Sequence, residues 1–202
     1  MTLLEVILAV SLLCVVATKV VTVLNVATEQ NDQDTARTQL ESEVRQILRQ
    51  IGFAIMGSSP ESLRPNLGSS TPSSRIRYQI NLGVADGEVV MTDPEEIALI
   101  EPTQEVYWTD SPDAADGRRV TWSRLVAPYL EGELPNGMDD NGNGLIDEKG
   151  LAFSIDGVNV TMHLTLERVM NDGSLLRKTY QSTVACRNLF NDTMETLIAP
   201  PS

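Results

Sequence analysis

The residues from Asn136 to Gly150 carry the chain's densest pattern of oxygen donors. They read Asn136-Gly137-Met138-Asp139-Asp140-Asn141-Gly142-Asn143-Gly144-Leu145-Ile146-Asp147-Glu148-Lys149-Gly150. With Asp139 as the first position of a calcium loop, Asn141 falls at position 3 and Asn143 at 5. Gly144 takes the sharp turn, Leu145 offers its backbone carbonyl and Asp147 stands at 9. A hard cation such as Ca2+ takes six to eight oxygens, and this spacing curls them round one point. The departure is position 12, where an EF-hand has Glu and this chain has Gly150; Glu148 is the carboxylate at hand to replace it. Starting at Asp140 fails, because Gly142 and Gly144 bring no side chains. Without an ion, Asp139, Asp140, Asp147 and Glu148 would repel one another, and the alternative to a metal site is a bare acidic turn. A bound ion would have a structural role, tying down a loop too polar to pack.

Other chemistry is thin. One histidine, His163, leaves no His-rich metal centre, and it falls on the polar side of an alternating segment, where a solvated or hydrogen-bonded role is expected. There is no Gly-rich phosphate loop, no nucleophile elbow and no Cys–His pair in a catalytic context, so no enzymatic activity is expected. A net charge of −13 argues against nucleic acid, since phosphate binding needs a basic surface. Cys14 and Cys186 lie in an apolar segment and near the chain end, so no internal disulfide is expected. Trp108 and Trp122 read as core or interface aromatics. Asn159-Val160-Thr161 and Asn191-Asp192-Thr193 match the N-glycosylation pattern and are read as chance matches.

A different oddity lies at the start of the chain. From Met1 to about Thr28 the sequence is almost wholly apolar, interrupted by Glu5 and Lys19. Roughly 20 apolar residues suffice to span a bilayer as a helix. A carboxylate in hydrocarbon costs about 2.5–3.5 kcal/mol on insertion scales, so Glu5 is expected to have a partner. A cleavable signal peptide would carry basic residues before the apolar run and a small-residue cleavage site after it, and neither is evident.

Thr2-Leu3-Leu4-Glu5-Val6 followed by an apolar helix resembles the mature N-terminus of type IV pilins and type II secretion pseudopilins. The specific resemblance covers about the first 30 residues. It implies that Met1, where the family most often has Phe, is a processed and N-methylated terminus, and that Glu5 is the family's fifth-position acid. It also implies that Met1 and Glu5 carry subunit assembly, Glu5 pairing with the terminal amine of a neighbouring copy. The expected partners are copies of the chain in a helical filament, other pilins or pseudopilins, and the bacterial inner membrane before assembly. The expected destination is an extracellular pilus or a periplasmic pseudopilus. Some pseudopilins hold calcium in the globular domain. Two alternatives stay open: a minor pseudopilin that primes or tips a secretion pseudopilus, and a membrane-anchored calcium-dependent binding module that never polymerises.

The elements that would position these residues follow from periodicity. Ala36, Leu40, Val44, Ile47, Leu48, Ile51 and Ile55 recur every three or four residues, one buried face of a helix. Arg37, Glu41, Glu43, Arg45 and Arg49 read as its solvated faces, with Glu41 and Arg45 spaced for an ion pair. The helix is expected to run unbroken from Met1 to about Met56, about 84 Å at 1.5 Å per residue, with Gly57 and Pro60 as the stop. Ser58–Ser74 reads as a surface loop. Strands are expected over Arg75–Leu82, Val89–Met91, Ile97–Ile100, Val106–Trp108 and Val120–Val126, with turns at Asp86-Gly87 and Asp116-Gly117. Val158–Leu166 alternates as a half-buried strand and turns at Asn171-Asp172-Gly173 to pair with Leu175–Cys186. The tail from Asn188 is expected to be loosely held. The fold class is α+β: a helix over residues 1–56, apolar over 1–28, and a β-rich head over 57–202 that carries the calcium-type loop 136–150.

Overall fold

The computed structural model describes residues 2–65, 72–85 and 88–187. Met1, the Asp86-Gly87 turn, the middle of the Ser58–Ser74 loop, Asn191 and the tail from Asn188 lie outside the described residues. One helix, α1, spans Leu3–Gly57, roughly 82 Å at 1.5 Å per residue. It passes through Asn25 and Thr28 without a break. Residues 2–35 are all exposed, and the first buried position is Ala36. From there Leu40, Val44, Ile47, Ile51 and Ile55 are buried, and Leu48 is partly buried against the same core.

Nine antiparallel strands among the described residues form three sheets. Strands β1 (Arg75–Tyr78), β4 (Glu95–Ile100), β5 (Glu105–Thr109) and β6 (Arg119–Ser123) form one, in the order β1-β4-β5-β6. Strands β2 (Asn81–Ala85) and β3 (Glu88–Met91) make a ribbon. Strands β7 (Leu151–Asp156), β8 (Asn159–Val169) and β9 (Leu175–Ala185) make the third, with β8 central. The upper half of α1 lies on β8, β9 and β6. Its buried stripe meets Ile76, Phe153, Met162 and Leu164 in one continuous core. Polar ties reinforce the docking. Ser123 Oγ donates to Glu43, Arg168 to Gln39, and Asn171 Nδ2 to Asp32 Oδ2 at 3.2 Å.

The α+β class is as the sequence implies, and several details differ from it. The expected strand over Arg75–Leu82 is two, β1 and β2, which belong to different sheets. The expected Val120–Val126 strand stops at Ser123, and β7 has no counterpart in the expectation. The Ser58–Ser74 segment does not begin at the surface: Ser58, Ser59 and Leu63 are buried, and Arg64 pairs with Arg77 of β1. His163 is buried rather than facing water, with Thr165 beside it on the nominally polar side. Every residue of β8 from Met162 to Leu166 is buried, so both of its faces are covered there and alternation in its sequence does not mark a wet side. Burial pushes the His163 imidazole below its ordinary value. Glu43 is tied to β6 instead of solvated. Glu41 bonds Arg37 (3.4 Å) more closely than Arg45 (4.0 Å). Cys14 and Cys186 are free thiols, one exposed and one buried.

One buried charge ties the four-stranded sheet together. Glu96 on β4 accepts from Arg77 Nε at 2.7 Å and from the Tyr107 hydroxyl at 2.8 Å. Burial by itself would raise the Glu96 carboxyl, but the hydrogen bonds from Arg77 and Tyr107, with the Arg77 and Arg75 charges, outweigh it and hold it below its ordinary value. A depressed carboxyl stabilises the fold above its unfolded pKa, about 4.3, and that stability is lost as pH falls through the folded value. Glu96→Gln should therefore lower the thermal midpoint at neutral pH. It should also flatten the acid side of the stability–pH curve, as read by circular dichroism of detergent-solubilised protein. An unchanged acid limb would remove Glu96 from that role.

Candidate functional site

Two regions of the fold carry chemistry. The first is the bare half of α1. Its N-terminus is closed by a capping box: the Thr2 backbone N–H donates to Glu5 Oε2 at 2.8 Å, and the Glu5 N–H donates to Thr2 Oγ1 at 3.4 Å. This arrangement satisfies two of the amide groups that a helix start leaves open. Further along, the Ser11, Thr18, Thr22 and Thr28 hydroxyls donate to the carbonyls of Ile7, Cys14, Thr18 and Leu24, each at 2.8–2.9 Å. The hydroxyls are thus spent inside the helix. What remains outward is an apolar surface, with Leu3 80%, Leu13 70% and Val23 66% exposed. This half is long and apolar enough to cross a membrane, with a mean hydropathy of 2.5 over its most apolar window and none of that window buried in its own chain.

The second region is the Asp/Asn/Gly loop. Asp139 Oδ1 accepts from the Gly142 and Asn143 amides and Oδ2 from the Gly144 amide at 2.8 Å, so the loop is wound round this carboxylate. Asn141 Oδ1 takes the Asn143 amide and Asn143 Oδ1 the Leu145 amide. Gly142 and Gly144 adopt the positive φ this winding requires. Asp147, itself at φ 52°, turns its carboxylate the other way, onto the Asn136 and Gly137 amides. Asp140 accepts from Asn136 Nδ2. Glu148 is only 1% exposed, and its Oε1 takes the Asn143 Nδ2 at 2.6 Å.

Glu133, which no loop pattern includes, joins this group. It is 5% exposed, and its Oε1 accepts from the Asn141 amide at 3.0 Å. Burial raises its carboxyl above the ordinary value, and the charges of Glu148 and Asp139 add to the rise. The backbone brings the two glutamates together: Leu130 N–H bonds Glu148 O at 3.0 Å, and Glu133 N–H bonds Leu130 O. Gly132 packs against Asn141, so the 130–133 turn lies on the loop. No local signal in the sequence marks Glu133, because its place depends on this cross-chain pairing. Lys149, the adjacent base, donates instead to Tyr129 and sits 3.3 Å from Glu101. Among the described residues, no three His, Cys, Asp or Glu stand together as a ready metal cage.

Gly150 explains why position 12 of the pattern lacks an acid. Its N–H bonds Pro128 O and its carbonyl accepts from Thr165 N–H at 2.7 Å, so the chain crosses the 126–128 segment there. A Cβ on Gly150 would sit 1.8 Å from the Ala127 carbonyl oxygen. No side chain fits at that crossing. No protein-family model, curated protein or solved structure matches this chain.

Proposed function

We propose that this chain is a pilin-like subunit of a bacterial extracellular filament, held in the inner membrane by the apolar half of α1 until it is assembled. The observation that carries this reading is a helix whose upper half is locked into the head while residues 2–28, apolar almost throughout, are all exposed among the described residues. Such a surface must be covered by lipid or by other chains. A plain anchor needs neither an acid in its first turn nor a helix continuous with the core of the head. Both are expected of a subunit that withdraws from lipid into a bundle of like helices.

In such a bundle the apolar halves pack side by side by burial and dispersion, and the internally satisfied hydroxyls add no desolvation penalty. The acidic heads face outward, and open head-to-tail contacts propagate instead of closing a ring. Glu5 gives up its exposed setting and pairs with the terminal amine of Met1 in a neighbour, which fixes the axial step. The same assembly could be a pilus or a shorter secretion pseudopilus, in which the chain is an abundant or a minor component.

Electron microscopy of material sheared from cells that express the full chain is the direct test. Filaments labelled along their length by antibody to the head are expected for an abundant subunit, and labelled tips or bases for a minor one. Recovery of the protein solely as single membrane-tethered copies, with no labelled filament, would overturn the reading.

A further inference from the structure

We infer that the head binds one Ca2+ ion between the Asp139–Glu148 loop and two buried carboxylates, Glu133 and Glu148, and that Glu133 is a ligand lying outside the loop itself. The site rests on two oxygens without partners. Glu133 Oε2 and Glu148 Oε2 are buried and make no hydrogen bond, on side chains of residues 5% and 1% exposed. A buried carboxylate oxygen left unpaired is costly, and proteins resolve that cost with a hydrogen bond, a counter-charge or a metal. Among the described residues, the ion pairs leave Glu133, Glu148, Asp139 and Asp147 without a Lys or Arg partner.

Both glutamates aim at the same piece of chain. The paired oxygen of each bonds a neighbouring loop residue, Asn141 for Glu133 and Asn143 for Glu148. A cation seated there would be met by the two free carboxylate oxygens, by loop amide oxygens and by backbone carbonyls. Asn143 would turn its amide so that the oxygen replaces the nitrogen now facing Glu148. A set of mixed carboxylate, amide and carbonyl oxygens in an adaptable loop suits Ca2+, whereas Mg2+ demands near-ideal octahedral geometry and keeps its waters. The clash at Gly150 bars the usual twelfth-position acid, and Glu148 from inside the loop with Glu133 from outside it supply the closing carboxylates. The site belongs to the folded head alone and does not depend on polymerisation.

The test is titration calorimetry of the full chain in detergent, stripped of metal, with CaCl2 as the probe. One saturable site with a Kd of about 1 mM or tighter is expected. The thermal midpoint should rise by roughly 5 °C once calcium exceeds Kd about a hundredfold. The same concentration of MgCl2 should not reproduce the rise. Glu133→Gln and Glu148→Gln should each weaken binding by about tenfold or more, while Glu131→Gln, an exposed acid on the same turn, should leave it unchanged. Absence of saturable binding to the unmutated chain would overturn the site whether or not the variants fold. So would several weak sites that persist in both glutamine variants, the mark of ions gathered by net charge alone. A one-to-one site lost with Glu148→Gln but kept with Glu133→Gln would remove Glu133 from it.

Discussion

Glu5→Gln and Glu5→Ala should each abolish filaments in sheared surface material, with the head still folded and the protein still in the membrane. Breaking a buried ion pair on one side costs about 3–5 kcal/mol. At 1.4 kcal/mol per tenfold, that is a factor of more than about a hundred at every subunit contact. The structure supplies the control, because Glu5 also has a local task. It closes a capping box with Thr2, and a capping box accepts Gln as well as Glu. Glu5→Gln therefore keeps the cap and removes the charge, whereas Thr2→Ala removes one capping bond, about 0.5–2 kcal/mol, and keeps the charge. If the acid serves assembly, Glu5→Gln loses filaments and Thr2→Ala retains them. The reverse pattern would reduce Glu5 to a helix cap and leave the filament without its proposed register.

Gly150→Ala should prevent the head from folding. The added Cβ meets the Ala127 carbonyl oxygen at 1.8 Å, its carbon at 2.8 Å and Val126 Cγ1 at 2.9 Å. Two of those atoms are backbone and cannot rotate away. Relief requires the 126–128 segment to lift, which breaks the Gly150–Pro128 and Thr165–Gly150 hydrogen bonds and opens the core at Val126 and Leu166. Ordinary overpacking costs about 1–3 kcal/mol; an immovable clash joined to lost bonds belongs with the rare substitutions above about 4 kcal/mol. The expected readout is rapid proteolysis of the head and loss of its cooperative thermal transition in detergent. Gly157→Ala is the comparison, a turn glycine at φ 56° with nothing within 4 Å of its would-be Cβ, and it should cost only about 1 kcal/mol. Equal stability of the two variants would show that the crossing at Gly150 is slack.

The same clash accounts for the glycine at position 12 of the loop pattern. The alternating Asp and Asn residues and the glycines of 139–147 are local signals, and the winding of the loop round Asp139 follows from them. By spacing alone Gly150 reads as the departure at that position. In the fold it is a crossing point with no room for a side chain. Glu148 sat within the pattern, but its burial depends on pairing with Leu130. Glu133 lay outside every spacing rule, because only that pairing brings it to the loop.

The same division runs through the molecule. Residue order alone determined what repeats at short range: the unbroken helix, the change after about Thr28 from an apolar surface to a helix with a single apolar stripe, the β8–β9 hairpin and the acidic loop. Each depends on neighbours a few residues apart, where backbone geometry converts spacing directly into a face or a turn. Tertiary structure decided the rest. It split the Arg75–Leu82 stretch between two sheets, placed β7 beside β8, buried His163 within a central strand and drew Arg77 onto Glu96. Strand partners lie tens of residues apart, and nothing in a short window records which distant segment will cover a side chain. Only when those segments meet do burial, lost hydration and the want of a partner give Glu133 and Glu148 their chemistry.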